Sequence, residues 1–419
     1  MKSLRAGCFG LLCILPGALA GDWPQWRGPD RTGQVPHSER IPSALPAEPK
    51  ILWRIKIGEG LASPVVAGGK VFHLDTQQGM ETLHVLDAAN AKELWHADID
   101  RTFFDQQSAP GPRCAPLVDG DRVYAQSCRG ELRCLKVADG SPLWHVNYTK
   151  DFSAIIIGEK GNSVGAARHG NNGSPVIDGD KLFAAVGGTN GEGVVCFEKI
   201  TGKVIWKSQD DPASYAAPIV ATIKGVKQLV DFTVDGLIGL DVRDGKILWR
   251  VPLKTSSGRH VTTPVVVADM VLVASHEIGL VGVKLSQNGK DWQATKAWVK
   301  KESAINFSSP VVVGNYLYGL GPAKNIICVD VKTGAQTWSK PGYIAGAASN
   351  AHAGFIVMGG NILTLTDGGQ LVLFAVDPKE FKEIGNVQVC GKTWCNPAYA
   401  DGKLFLRDGR ELFCADLLP

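Results

Sequence analysis

A small residue, a proline, two or three aliphatics and a turn recur along almost the whole chain. The prolines fall at Pro64, Pro116, Pro175, Pro218, Pro264, Pro310 and Pro397, at intervals of 52, 59, 43, 46, 46 and 87 residues. The last interval conceals a further copy, GFIVMGGNIL, in which Ile356 aligns with the absent proline. Eight copies about 46 residues apart mean one array whose units bury their apolar faces against each other.

A second motif follows the first in most units. A residue that is usually small opens an apolar run, a turn comes next, and tryptophan lies ten residues on: Val85 to Trp95, Cys134 to Trp144, Cys196 to Trp206, Gly239 to Trp249, Gly282 to Trp292 and Cys328 to Trp338. Turn glycines at 140, 202, 245, 289 and 334, and Gly68-Gly69, Asp119-Gly120, Asp178-Gly179 and Asp401-Gly402 after the prolines, mark hairpins between β-branched runs. Each unit therefore reads as four short antiparallel strands, the arithmetic of a β-propeller blade. The final unit stops after three strands, and ILWRIKI at 51–57 is an unmatched fourth strand with Trp53 in the tryptophan position. Joining the two closes the ring. The expectation is an all-β fold, an eight-bladed propeller over residues 50–419, preceded by an N-terminal arm at 21–49.

The first twenty residues, MKSLRAGCFGLLCILPGALA, combine basic Lys2 and Arg5 with an apolar run and Ala18-Leu19-Ala20. That is the pattern of a cleaved secretory signal ending near Ala20. Neither Cys8 nor Cys13 follows the triplet a lipoprotein signal needs. A periplasmic or secreted monomer without a transmembrane segment is expected. Losing Lys2 and Arg5 takes the formal charge from +3 to +1. A near-neutral chain without a basic stripe argues against a nucleic-acid partner. Of the eight remaining cysteines, Cys134, Cys196, Cys328 and Cys414 occupy the small third-strand position and read as buried hydrophobes. Cys128 with Cys134, and Cys390 with Cys395, are close enough in sequence to be weighed as disulfides. No spacing matches a zinc site, and no metal is expected.

The segments CFEKITGKVIW (196–206), GLDVRDGKILW (239–249) and CVDVKTGAQTW (328–338) resemble the tryptophan-docking motif of quinoprotein propellers. WPQWRGPDRTG at 23–33 is similar to the lead-in of bacterial PQQ-like β-propeller repeat proteins. The resemblance spans about residues 22–419. It implies that Trp53, Trp95, Trp144, Trp206, Trp249, Trp292 and Trp338 dock each blade on its neighbour. Two jobs follow from it: the quinoprotein dehydrogenases use pyrroloquinoline quinone and calcium to oxidise alcohols or sugars, whereas BamB-type factors are non-enzymatic envelope scaffolds. The calcium ligands and catalytic aspartate of the enzymes map onto no residue here. The favoured expectation is a non-catalytic binding propeller without cofactor.

Residues just before the strand-one prolines should ring one mouth of the central channel. That places Leu61, Arg113, Asn172, Tyr215, His260, Phe307 with Asn306, His352 and Trp394 there, a surface for an envelope protein or small ligand. The longest insertions, 101–114 and 147–173, add Arg168 and His169, and Ala154–Ile157 offers an apolar contact. Trp23 and Trp26 should staple the arm to the propeller. Asp119, Asp178, Asp244 and Asp401 are turn residues by their place in the repeat. His276-Glu277 lacks the spacing of a metalloprotease pair.

Overall fold

The computed structural model describes residues 21–159, 162–347 and 350–418; the expected export signal at 1–20 lies outside them. Eight four-stranded antiparallel sheets follow one another. Blades one to seven occupy residues 65–101, 117–147, 176–208, 219–252, 265–300, 311–341 and 353–388. Blade eight joins Lys50–Lys56 to Ala398–Ala400, Lys403–Arg407 and Glu411–Asp416, with Trp53 opposite Cys414. Closure from both termini leaves no unpaired blade edge at the chain ends.

The repeat dictates the local geometry. Proline lacks an N–H and cannot take a ladder position, so most innermost strands begin one residue after it and run for three residues. In blade one a two-residue turn at Gly68-Gly69, both with positive φ, returns the chain so that Ala67 pairs with Lys70. The same register in blade seven pairs Met358 with Asn361. That puts Phe355, not Ile356, in the place of the proline, a one-residue correction.

Blades pack face to face through apolar clusters, such as Leu132, Tyr148 and Trp144 of blade two and its edge against Leu182 and Phe197 of blade three. The outer-strand tryptophans tie each blade to the next. Nε1 of Trp53, Trp95, Trp144, Trp206 and Trp338 donates to the carbonyls of Ala88, Val137, Lys199, Val242 and Asp377, at 2.8 to 3.2 Å. The indoles of Trp95, Trp144 and Trp206 lie on the turn glycines Gly140, Gly202 and Gly245 of the following blade. A Cβ on Gly202 would stand 2.6 Å from the Trp144 ring.

Blade five breaks the count. Its third and outer strands, Gly279–Asn288 and Asp291–Lys300, form a ten-residue hairpin closed at Asn288 and Asp291. Trp292 sits near the tip opposite Gln287, and the residue facing Gly282 is Trp298. Trp298 does the docking, donating to Val331 O at 3.0 Å. The expected assignment to Trp292 fails because the extension inserts six residues into the interval. The long hairpin also removes the usual turn from beneath Trp249. Its Nε1 bonds instead to Gln228 Oε1 of its own blade at 2.7 Å, although the ring still packs between blades four and five. Blade seven has no docking tryptophan: Gly385 faces Leu373, and Leu45 of the arm lies over it.

All eight cysteines in the described residues are buried and unbridged, so neither weighed disulfide forms. No described helix is long and apolar enough to cross a membrane.

Candidate functional site

Because each inner strand is set by a proline, or by Phe355 in blade seven, the residue three places earlier projects at the same height in every blade. Those positions are Leu61, Arg113, Asn172, Tyr215, Val261, Phe307, His352 and Trp394, and all eight line one cavity of about 270 Å³ on the channel axis. A deeper layer comes from the residues before the prolines, among them Ser63, Ser174, Ala217, Thr263 and Asn396, and the floor is Trp26.

The floor belongs to the arm, which crosses and closes the channel below. Trp26 Nε1 donates to Thr263 Oγ1 at 2.9 Å. One level down, Arg31 donates to the carbonyls of Ser174, Pro175 and Pro218, and Arg27 to that of Pro310. Two residues further along the inner strands, Trp23 bridges Val66, Val118 N–H donates to Pro24 O, and Gln34 reaches Val312 O. Inner-strand carbonyls have no further strand to pair with, and two guanidiniums supply the missing donors. Burial pulls Arg27 down to about 10 and Arg31 to about 9, and both remain charged at neutral pH. The channel is thus open at the pre-proline mouth and stoppered at the other end.

The mouth is cationic and aromatic. Arg113 is held by Asp105 Oδ2 at 2.7 Å and by the carbonyls of His169 and Ala109. The Arg259 guanidinium lies 5.0 Å over the Phe307 ring, which stacks on Trp394 at 5.0 Å, and Trp394 stacks on His352 at 6.4 Å. Burial lowers the pKa of Arg259, His169 and His352, in His169 against the pull of Asp105. Among the described residues Arg113 pairs with a carboxylate, whereas Arg168 and Arg259 form no ion pair. No Asp or Glu lines the cavity.

Most of the expected ring is therefore present. Arg113, Asn172, Tyr215, Phe307, His352 and Trp394 line the cavity, with His169 beside them. Arg168 stands at the rim, donating to Gln107 Oε1 at 3.0 Å. Asn306 is half-buried behind Phe307 and does not line it. His260 is a correction. It is fully buried, stacked 4.1 Å from Phe232 with Nδ1 2.7 Å from Thr233 O, and Val261 takes its place in the ring. The segment before the strand alternates as extended backbone does: Arg259 and Val261 face the cavity and His260 faces the core. Sequence reasoning missed Arg259, Arg27 and Arg31, and expected Trp26 only as a staple of the arm. The available signal was two arginines inside a Gly/Pro-rich arm carrying neither repeat motif.

The insertions flank this mouth and pack on each other. Gly111 N–H donates to Phe103 O, and Gly158 is so close to Phe104 O that a Cβ there would lie 2.8 Å away. They leave Phe104, Ile155 and Ile157 exposed at 67, 57 and 54%.

A family model described as "Outer membrane protein assembly factor BamB" matches residues 39–155 and 129–380, most of the chain. The chain belongs to this family. The BamB of Shewanella oneidensis is 22% identical over 328 residues, covering 73% of this chain and 74% of the relative. That of Xanthomonas campestris pv. campestris is 25% identical over 234 residues, 54% of this chain and 48% of the relative. Among solved structures, BamB from Moraxella catarrhalis superposes with a TM-score of 0.55 at 13% identity, covering 88% of this chain and 98% of that one. A quinohemoprotein alcohol dehydrogenase from Comamonas testosteroni gives 0.51 at 13% identity, over 95% and 80%. At these identities the structures show a shared fold.

The quinoprotein likeness raises the question of whether the mouth suits a calcium-bound quinone. Calcium wants several hard oxygen ligands, typically including carboxylates. The lining offers amides, hydroxyls, imidazoles and guanidiniums, and Asp105 is consumed by Arg113, Ser108 and backbone N–H groups. The residues present do not fit that pair of groups.

Proposed function

We propose that the protein is an exported, non-catalytic β-propeller of the cell envelope that binds an envelope protein at its open mouth as a scaffold, a reading supported by relatives named as outer membrane protein assembly factors. The observation that carries the reading is the one-sided channel. The arm stoppers one end, and the other presents unpaired Arg168 and Arg259 around stacked aromatics, beside exposed Phe104, Ile155 and Ile157. Guanidiniums and aromatics next to an apolar patch are the residue types that anchor protein interfaces. The matching partner segment carries apolar side chains followed by a carboxylate.

The test places a photo-crosslinking residue at Phe104 in the cells that make the protein, with Glu48 on the arm as control. A defined envelope protein should crosslink from Phe104 and not from Glu48, and Ile155→Asp with Arg259→Glu should abolish the product. Equal crosslinking from both positions would end the proposal. So would turnover of an alcohol or sugar by the purified protein with pyrroloquinoline quinone, calcium and an artificial electron acceptor. A saturable rise in melting temperature at micromolar quinone would point to the cofactor reading instead.

A further inference from the structure

Blade one carries a polar row that no other part of the fold explains. Its register pairs His73 with His84 and His84 with His96, so three imidazoles from adjacent strands stand side by side on one face. The rings of His73 and His84 lie 5.0 Å apart, and those of His84 and His96 5.8 Å. Glu93, three residues before His96, reaches between the outer two. Its Oε2 is 2.7 Å from His84 Nδ1 and its Oε1 is 2.8 Å from His96 Nδ1.

The other side of His84 is fixed from beneath. Asp75, 1% exposed, puts Oδ1 3.2 Å from His84 Nε2, while its Oδ2 accepts the Gly58 N–H at 2.7 Å. His84 thus has a carboxylate at each ring nitrogen, so a neutral ring in either tautomer leaves one lone pair facing a carboxylate. Two acceptors facing each other repel, and only a cation between them relieves this: a proton on the imidazole, or a metal ion. A carboxylate holding the remote nitrogen of a histidine is also the arrangement that orients metal-ligating imidazoles.

We propose that His84, Glu93 and His96 form a binding site for a zinc-class divalent transition metal, with Asp75 orienting His84. One donor atom from each of the three lies within 4.8 Å of the other two. Four-coordinate zinc with bonds of about 2.0–2.1 Å holds its ligand atoms roughly 3.3 Å apart, so side-chain rotation alone closes the site. Two imidazoles and a carboxylate favour zinc over calcium or magnesium, which prefer all-oxygen sets. The fourth position faces solvent, because His96 is 59% exposed at the side chain. The site is on blade one and its argument is independent of the function proposed for the mouth.

The test is calorimetric titration of tag-free, chelator-treated protein with zinc chloride. One equivalent should bind at micromolar or tighter affinity and raise the melting temperature, and cobalt should substitute with the visible absorption of a four-coordinate ion. His96→Ala, at an exposed position, should weaken binding at least about tenfold without changing the metal-free melt. Asp75→Asn should weaken it by roughly 10- to 100-fold, the usual effect of losing an orienting carboxylate. Should that buried variant fail to fold, His96→Ala and Glu93→Gln still decide. Absence of binding up to millimolar zinc, or binding unchanged in His96→Ala, would overturn the proposal.

Discussion

His260 has no solvent exposure, a phenyl ring 4.1 Å from one face and the Thr233 carbonyl on Nδ1. Burial disfavours the imidazolium and lowers its pKa from 6.5 to about 4, against the help of that carbonyl. In the unfolded chain the same imidazole takes a proton near its ordinary value. Between the two, unfolding takes up a proton, so stability is complete above about pH 6.5 and falls as pH drops toward 4. The full loss is roughly 3 kcal/mol, from 1.36 kcal/mol per unit of difference. In His260→Gln the amide still donates to Thr233 O but does not titrate. Urea unfolding at pH 7 and pH 5 should show a smaller pH 7-to-5 drop than in the parent by about 2 kcal/mol. Equal drops would mean that His260 has the same pKa in the folded and unfolded chain. Nothing in the sequence signals this role, because a one-residue offset in an extended segment exchanges a channel residue for a core residue.

At the scale of the element, the outer-strand tryptophan is worth most where its ring covers the next blade's turn and its N–H finds a carbonyl. Both rings are half-buried, but Trp298 has both contacts, whereas Trp292 sits near the tip of the long hairpin. Trp298→Ala should therefore cost roughly 2–3 kcal/mol, less than a fully buried tryptophan, and Trp292→Ala about 1 kcal/mol. Chemical denaturation of the two variants checks the order, and a reversed order would restore Trp292 as the docking residue. The blade count, the closure by an N-terminal strand (read at 51–57, found at 50–56) and the docking role of five other tryptophans were all visible in sequence, because a repeat reports the same constraint many times. What escaped were the departures from it. A ten-residue hairpin is indistinguishable from an ordinary spacing when a second tryptophan happens to stand where the count expects one. Gly385, where Leu45 replaces the usual ring, leaves no motif at all.

Over the whole molecule, a ring of blades leaves a difficulty at its centre, since every innermost strand turns unpaired carbonyls toward the axis. The arm resolves it with side chains from outside the repeat, which is why the stopper was invisible to repeat-based reading even though Trp23 and Trp26 were expected to anchor the segment. Arg31 satisfies three carbonyls from two blades, Ser174, Pro175 and Pro218, and no carboxylate neutralises it. Charge-assisted bonds to carbonyls in a buried site are strong, and their loss leaves acceptors that water cannot easily reach. Arg31→Met should lower stability by roughly 3–5 kcal/mol. Arg31→Lys should recover little of it, because a compact ammonium does not match a planar fork spread over three acceptors. Arg40→Ala, which breaks an exposed pair with Asp401, should cost no more than about 1 kcal/mol and serves as the control. Because Lys50–Lys56 closes the ring independently of the arm, Arg31→Met should keep its β-sheet signal and melt as a unit at lower temperature. Limited proteolysis should then cut within 21–35 before any blade. Wild-type melting together with wild-type protection of the arm would show that the propeller holds its channel without the stopper.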